Sequence, residues 1–302
     1  MRMPLKNIIC STDFSDYSNQ AVPYGIALAK KFGAKLYMCH VIDLSSIAAY
    51  GEIISYPGVQ QDLIMNYTHN QLEQLIGEES IEWEPLITMG HAADEIVDMA
   101  KEKNADLTIV TTHGRSGLKR LILGSVTGRL MQSLPCPLLI VRSSEPNLAS
   151  AENQEMKFKR ILVGCDFSPD SVLAFQYGLS LAQDFQSELH LVHVIEPGIY
   201  KDLTKKPAEK LQDDLRDDLS ERLTSMVPEE VYSWCTLKTT LLAGQPHEEL
   251  TKYAVVNDVD LIVLGVRGHS MVETLFVGST TDRVVRRALC PVLSVRAAIQ
   301  DV

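Results

Sequence analysis

The residues with the clearest potential for chemistry form a glycine-rich stretch in the last quarter of the chain. Gly265 and Gly268 are separated by two residues, and Gly278, Ser279 and Thr280 follow after nine more. Glycines at both ends of a loop let backbone N–H groups turn inward. A helix opening at this point would add unpaired N–H groups and two hydroxyls. The pattern predicts an anion site suited to phosphate; the alternative is a capped helix after an ordinary loop.

The same pattern occurs a second time, in the first half of the chain. Gly114, Gly124 and Ser125 repeat the spacing of the later loop, and Asp13 and Asp166 stand at matching places upstream. Similar matches continue through most of the sequence, so the chain consists of two copies of one repeat unit. Because the glycine loop recurs at the same place in both repeats, the phosphate interpretation gains weight over the capped helix.

The repeat predicts two domains joined by a linker. Residues 1–142 form the first predicted domain and residues 159–302 the second. Residues 143–158 are polar, include Pro, Asn and Ser, and have no apolar period, which is typical of a linker. A length of 302 residues also fits two domains.

Within each repeat, short β-branched runs alternate with longer segments of helical period. In the first repeat the predicted strands are 7–11, 35–41, 83–88, 107–111 and 137–141, and the predicted helices are 19–31, 60–76, 92–103 and 124–133. Strands that are apolar on both faces, such as 261–264, belong in parallel sheets covered by helices on either side. The fold class is therefore α/β: two doubly wound domains, each with a five-stranded parallel sheet. In such sheets, ligands bind at the carboxyl ends of the strands.

Composition and charge exclude several classes of protein. The chain is 45% hydrophobic with a formal net charge of −11, which rules out a disordered chain and disfavours nucleic acid and anionic membranes as partners. Its apolar runs are strand-sized and its first residues lack the pattern of a signal peptide, so we expect a cytoplasmic protein without a membrane span. The six cysteines lack metal-ligand spacing, so we expect reduced thiols and no protein-bound metal.

The later glycine loop resembles that of a known family. Its sequence, GVRGHSMVETLFVGSTT, matches the G-x2-G-x9-G-[ST] pattern of the universal stress protein family, and the whole chain looks like a tandem member. The resemblance implies a Rossmann-like fold of the adenine nucleotide alpha hydrolase type. It also implies that the protein binds ATP, with Mg²⁺ held through the phosphates, and acts as a stress-response regulator rather than a fast enzyme.

The resemblance also assigns roles to residues. In the family, the aspartate that ends the first strand lies near ribose and adenine, and the residue that ends the second strand offers backbone groups to adenine. The loop glycines and the residues after them lie near ribose and phosphates. In the second repeat the implied nucleotide-binding residues are Asp166, Val194, Gly265, Gly268, His269, Gly278, Ser279 and Thr280. In the first repeat they are Asp13, Val41, Thr111, Gly114, Arg115, Gly124, Ser125 and Val126.

The two loops differ at their first position, where Thr111 replaces the glycine that stands at Gly265. A β-branched residue resists positive φ and brings a methyl group towards a ligand. The first loop is more basic, with Arg115 at the place of His269, which favours a triphosphate. Because a backbone clash is harder to relieve than a missing exposed charge, we predict tighter binding in the second repeat.

Two histidines also recur at matching places. His40 and His193 lie in the second strand of each repeat, next to the residue assigned to adenine. A histidine within an apolar strand is more often a hydrogen-bonded core residue than a ligand. His190, three residues before His193, must face the opposite side of the strand, which excludes a shared metal. The charged segment 202–222 is interpreted as a solvated helix face.

Each repeat ends in a short apolar strand, 137–141 and 291–295, of the kind whose exposed edge invites pairing. In the family these strands pair between domains, so the resemblance predicts an internal pseudo-two-fold dimer and leaves open a homodimer of two chains. Two other functions also stay open: a slow ATP-hydrolysing enzyme and a nucleotide-free interaction module. The chain has no GxxxxGK[ST] loop and no GxGxxG after a first strand, which favours binding over phosphoryl transfer.

Overall fold

Each repeat folds as strands alternating with helices, as its apolar pattern predicts. The computed structural model describes residues 5–42, 59–112, 114, 124–142, 157–196, 208–268 and 277–297. The chain divides into the units Pro4–Met156 and Lys157–Val302, a division inside the segment predicted as a linker. Linker residues 143–156 and the loop residues Arg115 and His269 lie outside the described residues.

The first repeat has five strands and four helices among its described residues. The strands are β1 (Asn7–Ser11), β2 (Lys35–Ile42), β3 (Trp83–Met89), β4 (Leu107–Thr111) and β5 (Leu138–Val141). The helices are α1 (Val22–Phe32), α2 (Val59–Ile76), α3 (Ala92–Glu102) and α4 (Ser125–Ser133). The start of the first helix differs from the prediction, since the 3₁₀ helix Ser18–Ala21 precedes α1.

The second repeat has the same order of elements. Its strands are β6 (Arg160–Gly164), β7 (Glu188–Ile195), β8 (Leu237–Ala243), β9 (Leu261–Gly265) and β10 (Val292–Val295). Its helices are α5 (Pro169–Phe185), α6 (Ala208–Ser225), α7 (Pro246–Val256) and α8 (Ser279–Arg287). Here the first helix begins directly after the turn that follows β6.

Both sheets are parallel and doubly wound, as predicted. The strand order is β3-β2-β1-β4-β5 in the first repeat and β8-β7-β6-β9-β10 in the second, with parallel pairing throughout. The direction of winding reverses between β1 and β4 and between β6 and β9. Open α/β sheets bind their ligands beside such a switch point, at the carboxyl ends of the strands.

Helices cover both faces of the first sheet. A Cβ built on Gly25 of α1 would lie 3.2 Å from the Cβ of Cys10, which places α1 on one face. The Sγ of Cys39 lies 3.8 Å from the Sδ of Met99 in α3, on the other face. Burial on both faces explains why β4 is buried along its whole length. No helix in the described part of the chain is long and apolar enough to cross a membrane.

A repeated aspartate fixes the amino-terminal edge of each sheet. Asp106 Oδ2 accepts hydrogen bonds from the backbone N–H groups of Lys6 and Asn7, at 2.7 and 2.9 Å. Asp260 Oδ2 makes the equivalent bonds, at 2.7 and 2.9 Å, just before β6. These bonds fix the start of the central strand at this edge, so its carboxyl end lies at the opposite edge in both repeats.

Candidate functional site

The described site residues meet at the carboxyl edge of each sheet. In the second repeat, Asp166 follows β6, Val194 lies near the end of β7 and Gly265 ends β9. Gly278 stands at the N-cap position of α8. The equivalent residues of the first repeat follow β1, β2 and β4 and precede α4. Residues far apart in sequence thus converge at the switch point of each sheet.

The site aspartate lies against the second glycine of the loop. A Cβ built on Gly268 would stand 2.7 Å from Asp166 Oδ2, and a Cβ on Gly114 would collide with Asp13 Oδ2 in the same way. The other oxygen of Asp166 accepts the backbone N–H of Ser168 at 3.0 Å. The family resemblance placed this glycine near the ligand. The geometry gives a further reason for glycine, because a Cβ here would require the carboxylate to shift.

The third glycine and a threonine close the loop onto the end of its strand. The N–H of Gly278 donates to the carbonyl of Val266 at 2.7 Å, and the hydroxyl of Thr281 donates to the carbonyl of Gly265 at 2.7 Å. In the first repeat the matching bonds, to Thr112 and Thr111, measure 3.1 and 2.9 Å; their donors are Gly124 and Thr127. Sequence reasoning missed both threonines, although each stands three residues after its glycine.

The N-cap residue of α8 has no side chain that could cap the helix. The N-cap residue is Gly278, which makes no side-chain cap, and Ser279 is exposed. The Asp282 carboxylate, in the first turn, pairs with Arg286 at 2.8 and 2.9 Å. The first-turn N–H groups and the positive end of the helix therefore face the carboxyl edge, where an anion is favoured.

The backbone of Val194 points into the same region. The N–H of Glu188 and the carbonyl of Val192 both make hydrogen bonds on the side of β6. Backbone groups two residues apart along a strand point to the same side, so the N–H and the carbonyl of Val194 also face β6. The ladder between β6 and β7 stops at Gly164 opposite Val192. The N–H and C=O of Val194 are thus directed past the end of β6, as those of Val41 are past the end of β1.

An aromatic turn follows each site aspartate. Phe14 and Phe167 have φ values of 65° and 64°, in the left-handed region that bulky residues avoid. The ring of Phe14 stacks on His40 with centroids 4.3 Å apart, and that of Phe167 packs on His193 at 4.8 Å. Burial lowers the pKa of His193 below its usual value, which favours the neutral ring.

Arg222 of α6 contacts this turn. Its guanidinium carbon lies 4.2 Å from the centroid of the Phe167 ring, a cation–π contact. Arg222 is exposed, as the interpretation of the charged segment as a solvated face predicts. It also brings a positive charge to the side of the site that carries Asp166, whose charge acts on His193.

The first glycine of the loop makes room for a helix. A Cβ on Gly265 would lie 2.7 Å from the backbone carbon of Asp170 and 2.8 Å from the N of Ser171, in the first turn of α5. Neither Gly265 nor Thr111 has a positive φ, so the sequence argument from φ is wrong. In the first repeat, Thr111 is buried and the 3₁₀ helix Ser18–Ala21 packs against β4 in place of an α-helical turn.

An ion pair fixes the loop of the second repeat. The carboxylate of Asp170 accepts two hydrogen bonds from the Arg267 guanidinium, at 3.0 and 2.9 Å, and one from the Arg267 N–H at 2.9 Å. It also accepts the N–H of Ala297 at 3.0 Å. Asp170 is 2% exposed, and its bond raises the pKa of Arg267. The matching residue of the first repeat is Tyr17, which is exposed.

Protein ligands for a metal are not brought together in the described ranges: no group of three or more His, Cys, Asp or Glu side chains could hold one. The six cysteines are free thiols, and burial raises the pKa of Cys39 to about 12. His190 and His193 bond to different elements, the first to the Tyr253 hydroxyl at 3.0 Å and the second to the Cys165 carbonyl at 2.7 Å. They form no pair, as the sequence predicts.

Comparisons with known proteins agree with this architecture. The model of the universal stress protein family matches residues 4–142 and 157–296. A universal stress protein of Synechocystis sp. is 24% identical over 323 residues, covering 97% of this chain and 100% of that protein. One from Methanocaldococcus jannaschii is 32% identical over 139 residues, 45% of this chain and 82% of that protein. The crystal structure of a universal stress protein from Archaeoglobus fulgidus superposes with a TM-score of 0.68 at 22% identity, covering 98% of this chain and 97% of that one.

Proposed function

This chain belongs to the universal stress protein family and carries two of its domains in tandem, and on that premise we propose that it binds adenine nucleotide as a stress-response regulator. The second repeat is the principal site in this proposal. The observation that carries it is the convergence, at one sheet edge, of Asp166, Gly268 and the start of α8, whose N-cap residue is a glycine.

The residues present fit a nucleoside triphosphate. The backbone groups of Val194, directed past the end of β6, have the donor and acceptor that adenine needs. Asp166 offers a carboxylate that can accept ribose hydroxyls. The N–H groups of Ser279 and Thr280, at the positive end of α8, suit phosphate oxygens. Mg²⁺ held through the phosphates would neutralise part of their charge.

A substitution at Ser279 tests the phosphate role without disturbing the helix. Ser279 is the first residue of α8, where proline is well tolerated and removes one N–H. We expect Ser279→Pro to weaken ATP binding about tenfold, the worth of one hydrogen bond to a charged group. Isothermal titration with ATP, ADP and AMP measures this effect, and mass spectrometry of ligand released from the purified protein identifies what it carries.

Ala92→Pro is the matched control for this variant. Ala92 is the first residue of α3, and the corresponding helix of the second repeat already begins with Pro246. ATP affinity should therefore stay unchanged in Ala92→Pro. Equal affinities in wild type, Ser279→Pro and Ala92→Pro would place the phosphates elsewhere and overturn the proposal.

Slow or absent turnover of ATP is part of the same proposal. Fast phosphoryl transfer needs a group that positions the attacking water and a cation in line with the leaving oxygen. Arg267, a cation at the loop, is engaged by Asp170. Turnover of Mg²⁺-ATP at about 1 per second or faster would indicate an enzyme instead.

A further inference from the structure

The turn after each site aspartate is strained and needs support. Phe14 and Phe167 adopt φ values of 65° and 64°, and a bulky residue in that region persists only where its surroundings hold it. The same residue type in the same conformation at the same place in both repeats indicates a common supporting element.

A buried histidine supplies that support in each repeat. The Nδ1 of His193 lies 2.7 Å from the carbonyl of Cys165, and the Nδ1 of His40 lies 2.8 Å from the carbonyl of Thr12. Because a carbonyl only accepts, each Nδ1 carries the proton and donates. The same ring packs against the phenylalanine two residues after that carbonyl. One side chain therefore holds both ends of the turn.

The histidine also ends the pairing of two strands. In a parallel ladder, the carbonyl of Cys165 is the acceptor that the N–H of Val194 would use for the next hydrogen bond. The imidazole of His193 takes that carbonyl, and the ladder stops at Gly164. The chain leaves β6 through the strained turn, which sets Asp166 against Gly268.

We propose that His40 and His193 are the positioning residues of the two nucleotide sites. Each imidazole fixes the aspartate carboxylate and, by taking the last strand carbonyl, leaves the backbone of the following valine for a ligand. The consequence for nucleotide affinity rests on the proposed function. The positioning of the aspartate does not, and it is tested separately.

His190 provides a matched control within the same strand. It is 1% exposed and bonds to the hydroxyl of Tyr253 in α7, away from the turn. A role limited to core packing predicts the same behaviour for His190 and His193. The positioning role predicts effects at the site for His193 alone.

The first test needs no nucleotide. Gly268→Ala places a Cβ against Asp166 Oδ2, so its penalty in the unfolding equilibrium reports where that carboxylate stands. We expect the factor by which Gly268→Ala raises the unfolding equilibrium constant to be about tenfold smaller in a His193→Phe background, which keeps a ring but loses the donor. It should shrink less in His193→Asn, whose amide retains a donor near the place of Nδ1, and remain in His190→Asn.

The second test measures ATP affinity by titration of the full chain. Changing both sites with His40→Phe and His193→Phe together should weaken binding about tenfold or more, while His190→Asn changes it less than about twofold. An unchanged Gly268→Ala penalty in folded His193→Phe and His193→Asn proteins would overturn the positioning role. A shrunken penalty in a protein that binds no ATP would uphold the positioning and refute the proposed function.

Discussion

At the scale of single residues, the site depends on a carboxylate and a glycine that fit each other. Asp166 Oδ2 occupies the space that a side chain at position 268 would need, and Asp13 does the same against Gly114. A bulky substitution at Gly268 would therefore displace the aspartate before it reached any phosphate. Loss of ATP binding in such a variant would not separate the two causes, and the helix variant Ser279→Pro is the sharper test.

Protonation of buried histidines predicts a pH dependence of stability. Burial lowers the pKa of His193, whose charged neighbours are Asp166 and Arg222, and it also lowers the pKa values of His190 and His247. In the unfolded chain these histidines bind protons at pH values near 6.5. Their contribution to the unfolding free energy is therefore complete above that pH, and the unfolding free energy falls as the pH drops below it. The slope is at most about 1.4 kcal/mol per pH unit for each histidine.

Urea denaturation at pH 7.5 and 5.5 measures this dependence. His193→Asn, which cannot titrate, should lose less stability on acidification than the wild type. A larger loss in the variant, or none in the wild type, would contradict the assigned direction of the pKa shifts.

At the scale of elements, the loop glycines and threonines set how helices meet the ends of strands. Gly265 leaves room for the first turn of α5, whereas Thr111 stands opposite turns and a 3₁₀ helix. The Thr281 hydroxyl ties α8 to the carbonyl of Gly265. These contacts are local, but they decide where each helix begins.

The hydroxyl of Thr281 should contribute measurably to stability. It is 4% exposed, and Thr281→Val removes a buried hydrogen bond and leaves a carbonyl unsatisfied. We expect a loss of about 1 to 2 kcal/mol in unfolding free energy. Thr68 is the control, because it is fully buried and its hydroxyl has no partner in the described part of the chain. Thr68→Val should be neutral or stabilising; a greater loss there than in Thr281→Val would refute the role of the hydrogen bond.

The buried ion pair of the second repeat gives a further prediction. Asp170→Asn keeps the shape of the side chain but leaves Arg267, 18% exposed, without its counter-charge, so we expect a loss of about 3 kcal/mol in unfolding free energy. Asp282→Asn is the control, since the Asp282–Arg286 pair has the same bidentate form but is about one third exposed. That change should cost about 0.5 kcal/mol. Equal costs in chemical denaturation would mean that burial of the pair adds nothing.

At the scale of the whole molecule, the repeats share one framework and differ in how firmly the loop is held. The aspartate, aromatic turn, histidine and loop-closing threonine occur in both. The Asp170–Arg267 pair stands in the second repeat, where the first has Tyr17. The prediction of tighter binding in the second repeat therefore now rests on this pair, because Gly265 contacts α5 rather than an open site.

The pairing of the two repeats through their last strands stays a prediction. It follows from the apolar strands β5 and β10 and from the family resemblance, and it implies a single body in solution. Small-angle scattering should then give a radius of gyration of about 19 Å for the monomer, the value for a compact chain of this length. A profile of two separated, freely linked lobes would contradict it.

The sequence by itself determined the repeat, the fold class, nearly all strand and helix positions, and the family. It could do so because apolar periodicity and loop glycines are local patterns repeated in two independent copies. Only the tertiary structure decided that Gly268 faces Asp166, that Gly265 faces α5 and that His193 holds the Phe167 turn. These contacts join residues from separate elements, and their geometry depends on how the elements pack. The periodicity within one element does not indicate how that element packs against the others.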